Sequence, residues 1–202
     1  MSLGKFICSA LLVTSLAGAG VTHAQEPEPA DVVVYINPLE YKHPVKLWHF
    51  YYDYWYTQGP AVEAAAIDVL NNAYGKASMC DGNNIGKTLV RIVPDMFYNP
   101  HMTTFYGKIR AEIFTGSGKP LGAYVTEVQK FGFLDVAPAD KIGALYRTAM
   151  QNVVDQMKMD PAVQEAIKNG VPHSETSTPC SMMSVLPSRR VNANDLLNTF
   201  ER

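Results

Sequence analysis

The pattern of apolar and polar positions changes period along the chain. Val62, Ala65, Ala66, Val69, Leu70 and Ala73 recur at i, i+3, i+4, i+7, i+8 and i+11, the apolar stripe of an amphipathic helix. Gly59-Pro60 breaks the chain ahead of it. Pro60 suits a first turn, where its missing N–H costs no hydrogen bond, and Gly75 suits the stop. Beyond residue 83 the period drops to two. TLVRIVPDMFYN, TFYGKIRAEIFTG and LGAYVTEVQKFG are β-branched and aromatic runs, separated by Asn99-Pro100 and by the turn residues 116–120, and they predict three consecutive strands. In the second run Tyr106, Lys108, Arg110 and Glu112 alternate with Phe105, Gly107, Ile109, Ala111 and Ile113, the signature of a sheet with one wet and one covered face. A second helix is expected near Pro138-Ala139-Asp140, with Ile142, Leu145, Tyr146, Ala149, Val153 and Met157 on one face. It continues or restarts at Asp160-Pro161, a good N-cap followed by a good first residue, and ends before Gly170.

One stretch fits neither period cleanly. KLWHFYYDYWYTQG, residues 46–59, is dense in aromatics. Read as a strand, it places Trp48, Phe50, Tyr52, Tyr54 and Tyr56 on one face and Leu47, His49, Tyr51, Asp53, Trp55 and Thr57 on the other. The wholly aromatic face is expected to pack beneath the helices as core. The mixed face, with His49, Tyr51, Asp53 and Trp55, is expected to meet a ligand, a glycan or a protein partner. A membrane-interface belt would need an adjoining span to flank. The element order is then strand, helix, three strands, helix, with the aromatic segment first. That is an α+β two-layer sandwich with two helices on one face of a mostly antiparallel sheet. This domain covers residues 46–170. Residues 25–45, which open with QEPEPAD and continue through VVVYI to Asn37-Pro38, read as an extended arm or linker. Residues 171–202, polar and rich in Pro and Ser without periodicity, read as a C-terminal tail.

The N-terminus bears on compartment. Lys5 precedes an apolar run from Phe6 to Val13, then small residues, then Thr22-His23-Ala24, which resembles an A-x-A processing site. Residues 1–24 are therefore read as a cleaved signal peptide, with an apolar core short of the roughly 20 residues that span a bilayer. The expected address is the periplasm, free or associated with the outer membrane. Processing leaves Cys80 and Cys180, and an even pair in an oxidising compartment is a disulfide candidate. With a formal net charge of -2 and scattered Lys and Arg, the chain lacks the basic footprint of a nucleic-acid binder.

Candidate chemistry is sparse. GNNIGKT, residues 82–88, has one residue too few for a phosphate-binding loop and leads into a strand instead of a helix N-terminus, so no nucleotide is expected. There is no G-x-S-x-G. His43, His49, His101 and His173 form no two-ligand pair on a helix face, and His101 reads as a turn residue. Asp53 and Asp95 are the carboxylates that could flank a cleft, as glycoside hydrolysis requires. No catalytic residue, metal or cofactor is assigned.

The element order after a secretory leader, with segments such as GPAVEAAAIDVLNNAYG and GSGKPLGAY, resembles the small envelope proteins of the lipopolysaccharide-assembly lipoprotein class and the auxiliary lipoproteins of ABC transporters, over residues 45–168. The chain departs from that class at its lipid-attachment cysteine: Cys8 lies inside the apolar core, not after a Leu-x-Gly/Ala run. The resemblance implies a non-enzymatic accessory that docks on a larger envelope machine through protein contacts, with membrane contact at most indirect. Two other functions stand beside it. A periplasmic hydrolase or carbohydrate-active enzyme would need His, Asp and Ser or Glu to converge in one pocket. A structural subunit of a surface or secretion assembly would offer a free sheet edge for β-augmentation.

Overall fold

The computed structural model describes residues 30–80, 85–170 and 179–185. The processing site, Cys8 and His173 lie outside these residues. Its first element corrects the arm expected over 25–45: ADVVVYI is strand β1 (Ala30–Ile36), inside the main sheet. Val32, Val34 and Ile36 face the helices, while Val33 and Tyr35 pack on the opposite side with Leu89, Cys180 and Met183. A strand covered on both faces has no reason to alternate, hence the unbroken Val run. β1 lies between β4 (Ala77–Met79) and β5 (Gly86–Asn99), parallel to both. β6 (Thr104–Thr115) and β7 (Pro120–Phe131) extend the sheet antiparallel, giving the order β4-β1-β5-β6-β7.

The helices α2 (Gly59–Tyr74), α3 (Pro138–Met159) and α4 (Pro161–Asn169) line one face, so the fold is the two-layer α+β sandwich that the periodicity implies. α3 sits close on β6: a Cβ added at Gly107 would lie 2.7 Å from a Leu145 methyl. Asp160 caps α4, accepting from the backbone N–H of Ala162 at 2.9 Å and of Val163. The Tyr124 hydroxyl also donates to it, and that bond more than any other holds its carboxyl below the usual range.

The aromatic segment is not one strand. It forms a separate hairpin, β2 (Pro44–Trp48) against β3 (Asp53–Thr57), preceded by the one-turn helix α1 (Pro38–Lys42). Parity explains the reversal. Val45 and Leu47 are buried and Tyr54 and Tyr56 are packed on the core, yet odd and even positions of one continuous strand point to opposite faces. Folding the chain back pairs Val45 with Tyr56 and Leu47 with Tyr54, so all four reach the core together. Of the five aromatics expected in the core, Tyr54 and Tyr56 pack there; Trp48, Phe50 and Tyr52 are exposed.

A buried hydrogen-bond knot fixes the base of this hairpin. Gln58, which follows β3, is fully buried; its Oε1 accepts from the Tyr146 hydroxyl of α3 at 2.6 Å and its Nε2 donates to the Pro94 carbonyl at 3.4 Å. β1 stops at Ile36, opposite Ile92 of β5, so Pro94 falls where that side of β5 has lost its neighbour and a missing N–H is tolerated. The next residue, Gly59, touches α1: a Cβ there would meet the Tyr41 backbone within 2.7 Å, and the Tyr41 hydroxyl donates to Glu63 of α2 at 2.6 Å.

On the face away from these helices, the Cys80–Cys180 disulfide, with Cα atoms 5.4 Å apart, pins α5 (Pro179–Ser184) over β1 and β5. The segment expected to be only a tail thus contributes a covering helix.

Two outcomes follow from this packing. Leu47→Ala removes a fully buried side chain and should cost about 2–5 kcal/mol, whereas Trp48→Ala should change stability by less than about 1 kcal/mol; urea titration of both variants checks the hairpin register. Proteolytic mapping of the unreduced protein should recover one linked peptide pair containing Cys80 and Cys180, and reduction should lower the melting temperature.

Candidate functional site

Three connections emerge at one end of the sheet. β5 ends at Asn99, which pairs with Thr104 at the start of β6, and Thr104 pairs in turn with Phe131 at the end of β7. The β5–β6 turn is closed by Asn99, whose Oδ1 accepts from the N–H groups of His101 and Met102, confirming His101 as a turn residue. Thr103 there has φ +46°, a left-handed conformation uncommon outside glycine. The β7–α3 connection is tied to this turn: the Gly132 N–H donates to the Thr103 carbonyl at 2.8 Å, and the Tyr98 hydroxyl donates to the Gly132 carbonyl at 3.2 Å. Burial pushes the Tyr98 phenol up, so it stays a neutral donor.

The hairpin turn, residues 49–52, lies against this knot. The Phe50 ring is 4.7 Å from His101 and 5.3 Å from Trp48, and His49 stacks on Tyr52 at 4.6 Å. At the same end of the sheet, Met102 from the β5–β6 turn and Phe131, Phe133 and Val136 from the end of β7 and the connection beyond are also exposed; Phe97, on the face turned away from the helices, stacks on Tyr106 at 4.5 Å at its edge. Trp48, Phe50 and Tyr52 are each 40 to 48% exposed and Tyr51 89%. This aromatic pole holds most of the exposed large apolar side chains among the described residues. Exposed apolar side chains gathered at one end of a fold make that end a candidate interaction site.

The four residues expected to meet a partner divide. His49 and Tyr51 are in the hairpin turn itself. Asp53 stands at its base, paired with Lys46 at 2.9 Å. Trp55 is 58% exposed and lies further back on the solvent face of the hairpin, opposite Lys46. The remainder of the pole, from Trp48 and Phe50 to Phe133, was missed by the single-strand reading. A visible signal was FGFLDV at 131–136, where apolar residues continue past the end of a strand into a loop.

The other candidates serve structural ends. Gly86, Lys87 and Thr88 open β5; Lys87 Nζ sits 2.6 Å from Asp31 and holds that carboxyl below its usual range. Asp95 lines a depression on the open face of the sheet to which Asp53 contributes nothing. Among the described residues no three His, Cys, Asp or Glu side chains are grouped to hold a metal ion, and no helix is long and apolar enough to cross a membrane.

No protein-family model matches the chain, and no curated protein sequence does. Solved structures similar in outline include a Xanthomonas campestris protein of the family DUF330, at 8% identity and TM-score 0.44 over 73% of this chain and 91% of that one. A PelC dodecamer variant from Paraburkholderia phytofirmans matches at 11% identity and TM-score 0.39, over 62% and 88%. A minor lipoprotein from Acinetobacter baumannii matches at 9% identity and TM-score 0.33, over 70% and 96%.

The hairpin can be read spectroscopically, because the sequence holds two tryptophans, Trp48 and Trp55, and both are exposed on it. Native emission should resemble that of the unfolded protein and be quenched freely by acrylamide. A blue-shifted, protected native spectrum would place the aromatic segment back in the core.

Proposed function

We propose that the protein is a non-catalytic accessory of the bacterial cell envelope, exported to the periplasm, that works by seating its aromatic pole on a protein partner. The observation that carries this reading is that the hairpin turn, the β5–β6 turn and the β7–α3 connection meet at one end of the sheet and each carries exposed aromatic or other apolar side chains there. Tyr, Trp, Phe and Met are the residue types enriched in protein interfaces. Buried hydrogen bonds from Gln58 and Tyr98 hold two of the three elements in place, so little ordering is left to be done on docking. The disulfide suits an oxidising compartment.

Hydrolysis is less well supported. Asp53 and Asp95, the two carboxylates that could flank a cleft, do not share one: Asp95 lines a depression on the open face of the sheet that Asp53 does not reach.

The test is capture from envelope extract with the full chain as bait. A partner recovered in stoichiometric amount should be kept by Met159→Ser, which alters an exposed apolar residue away from the pole. Phe50→Ser and Phe133→Ser should each weaken it by about 2 kcal/mol or more, as central aromatic anchors do, with melting temperatures unchanged. Equal recovery by all variants would refute docking through the pole.

A further inference from the structure

The sheet face turned away from the helices is covered by α5 at one end and holds a depression of about 360 Å³ toward the other. Its side walls come from two adjacent rows of paired residues. One row is Phe97, Tyr106 and Gln129, and the next is Asp95, Lys108 and Glu127. The Phe97 and Tyr106 rings stack within 2° of parallel, making a rigid apolar wall. Beside it the polar row alternates acceptor, donor, acceptor, with Lys108 Nζ 2.7 Å from Glu127.

This lining selects for ligand chemistry. Lys108 stands between two carboxylates, so the site has no surplus positive charge for a phosphate or sulfate. Four polar side chains, Asp95, Lys108, Glu127 and Gln129, line the depression, which does not suit an acyl chain. An aromatic wall beside a row of hydroxyl-matching donors and acceptors fits a flat molecule that is apolar on its C–H face and polar at its rim. We propose that this depression is a binding subsite for a neutral oligosaccharide, one sugar ring packing against the stacked Phe97–Tyr106 pair while its hydroxyls bond to Asp95, Lys108, Glu127 and Gln129. The subsite adjoins the aromatic pole, since the Tyr106 hydroxyl donates to Met102 Sδ at 3.4 Å, and Phe97 stands at the border between the two, but the subsite's ligand is distinct from the protein contact.

Calorimetric titration of the full chain with chitotetraose, cellotetraose and maltotetraose tests the proposal. At least one should bind saturably with a Kd below about 1 mM, weakened about tenfold in Tyr106→Leu and in Gln129→Ala and unchanged in Tyr51→Ala at the pole. Thermal melts accompany each variant, and Gln129→Ala, at a solvent-facing position of β7, carries the test if Tyr106→Leu does not fold. Absence of binding by all three sugars, binding that survives in Gln129→Ala and Tyr106→Leu, or a loss confined to Tyr51→Ala would overturn it.

Discussion

The placement of the aromatic end depends on one buried amide. Gln58 joins the last residue of the hairpin to the first turn of α2, and its side chain bonds at once to α3 through Tyr146 and to β5 through the Pro94 carbonyl. A buried amide left without partners would cost about 1–3 kcal/mol, so the hairpin has one well-satisfied seat. The Gly59–Tyr41 contact closes the same junction from the α1 side. With its base held by three elements, the hairpin can project an exposed turn of aromatics without collapsing it into the core.

Among the described residues, the polypeptide also leaves that end clear. β1 enters at Ala30 beside Gly86, the end of β5 remote from Asn99. α5 is bonded to Cys80 and lies near the β6–β7 turn, where Met182 approaches Gly118. The disulfide and the covering helix thus gather at one end of the sheet and the exposed aromatics at the other.

Much of this was legible in the sequence where periodicity was strong. The stripe from Val62 to Leu70, the alternation from Phe105 to Ile113 and the Asp160-Pro161 restart all appear as expected, because each follows from burial of one face or from a local cap. Two features were not legible. VVVYI has no period, since both its faces are covered, and its position after a Pro- and Glu-rich stretch made it read as an arm. The hairpin turn His49-Phe50-Tyr51-Tyr52 contains no Gly, Pro, Asn or Asp, so nothing in it signalled a reversal. The clue lay in parity: Val45 and Leu47 are odd and Tyr54 and Tyr56 even, a conflict that a single one-sided strand cannot resolve. Misreading that turn put Trp48 and Phe50 in the core and hid the pole, whose other members come from loops distant in sequence.

The central claim is that the aromatic pole is the surface through which this protein works, and site-specific photo-crosslinking in intact cells tests it most directly. A benzophenone side chain placed at Tyr51 or Phe133 should yield a discrete adduct of the same partner from both positions, while one at Met159, near the far end of α3, yields none. Adducts that form equally at Met159, or fail to form at both pole positions while Met159 gives one, would contradict the account.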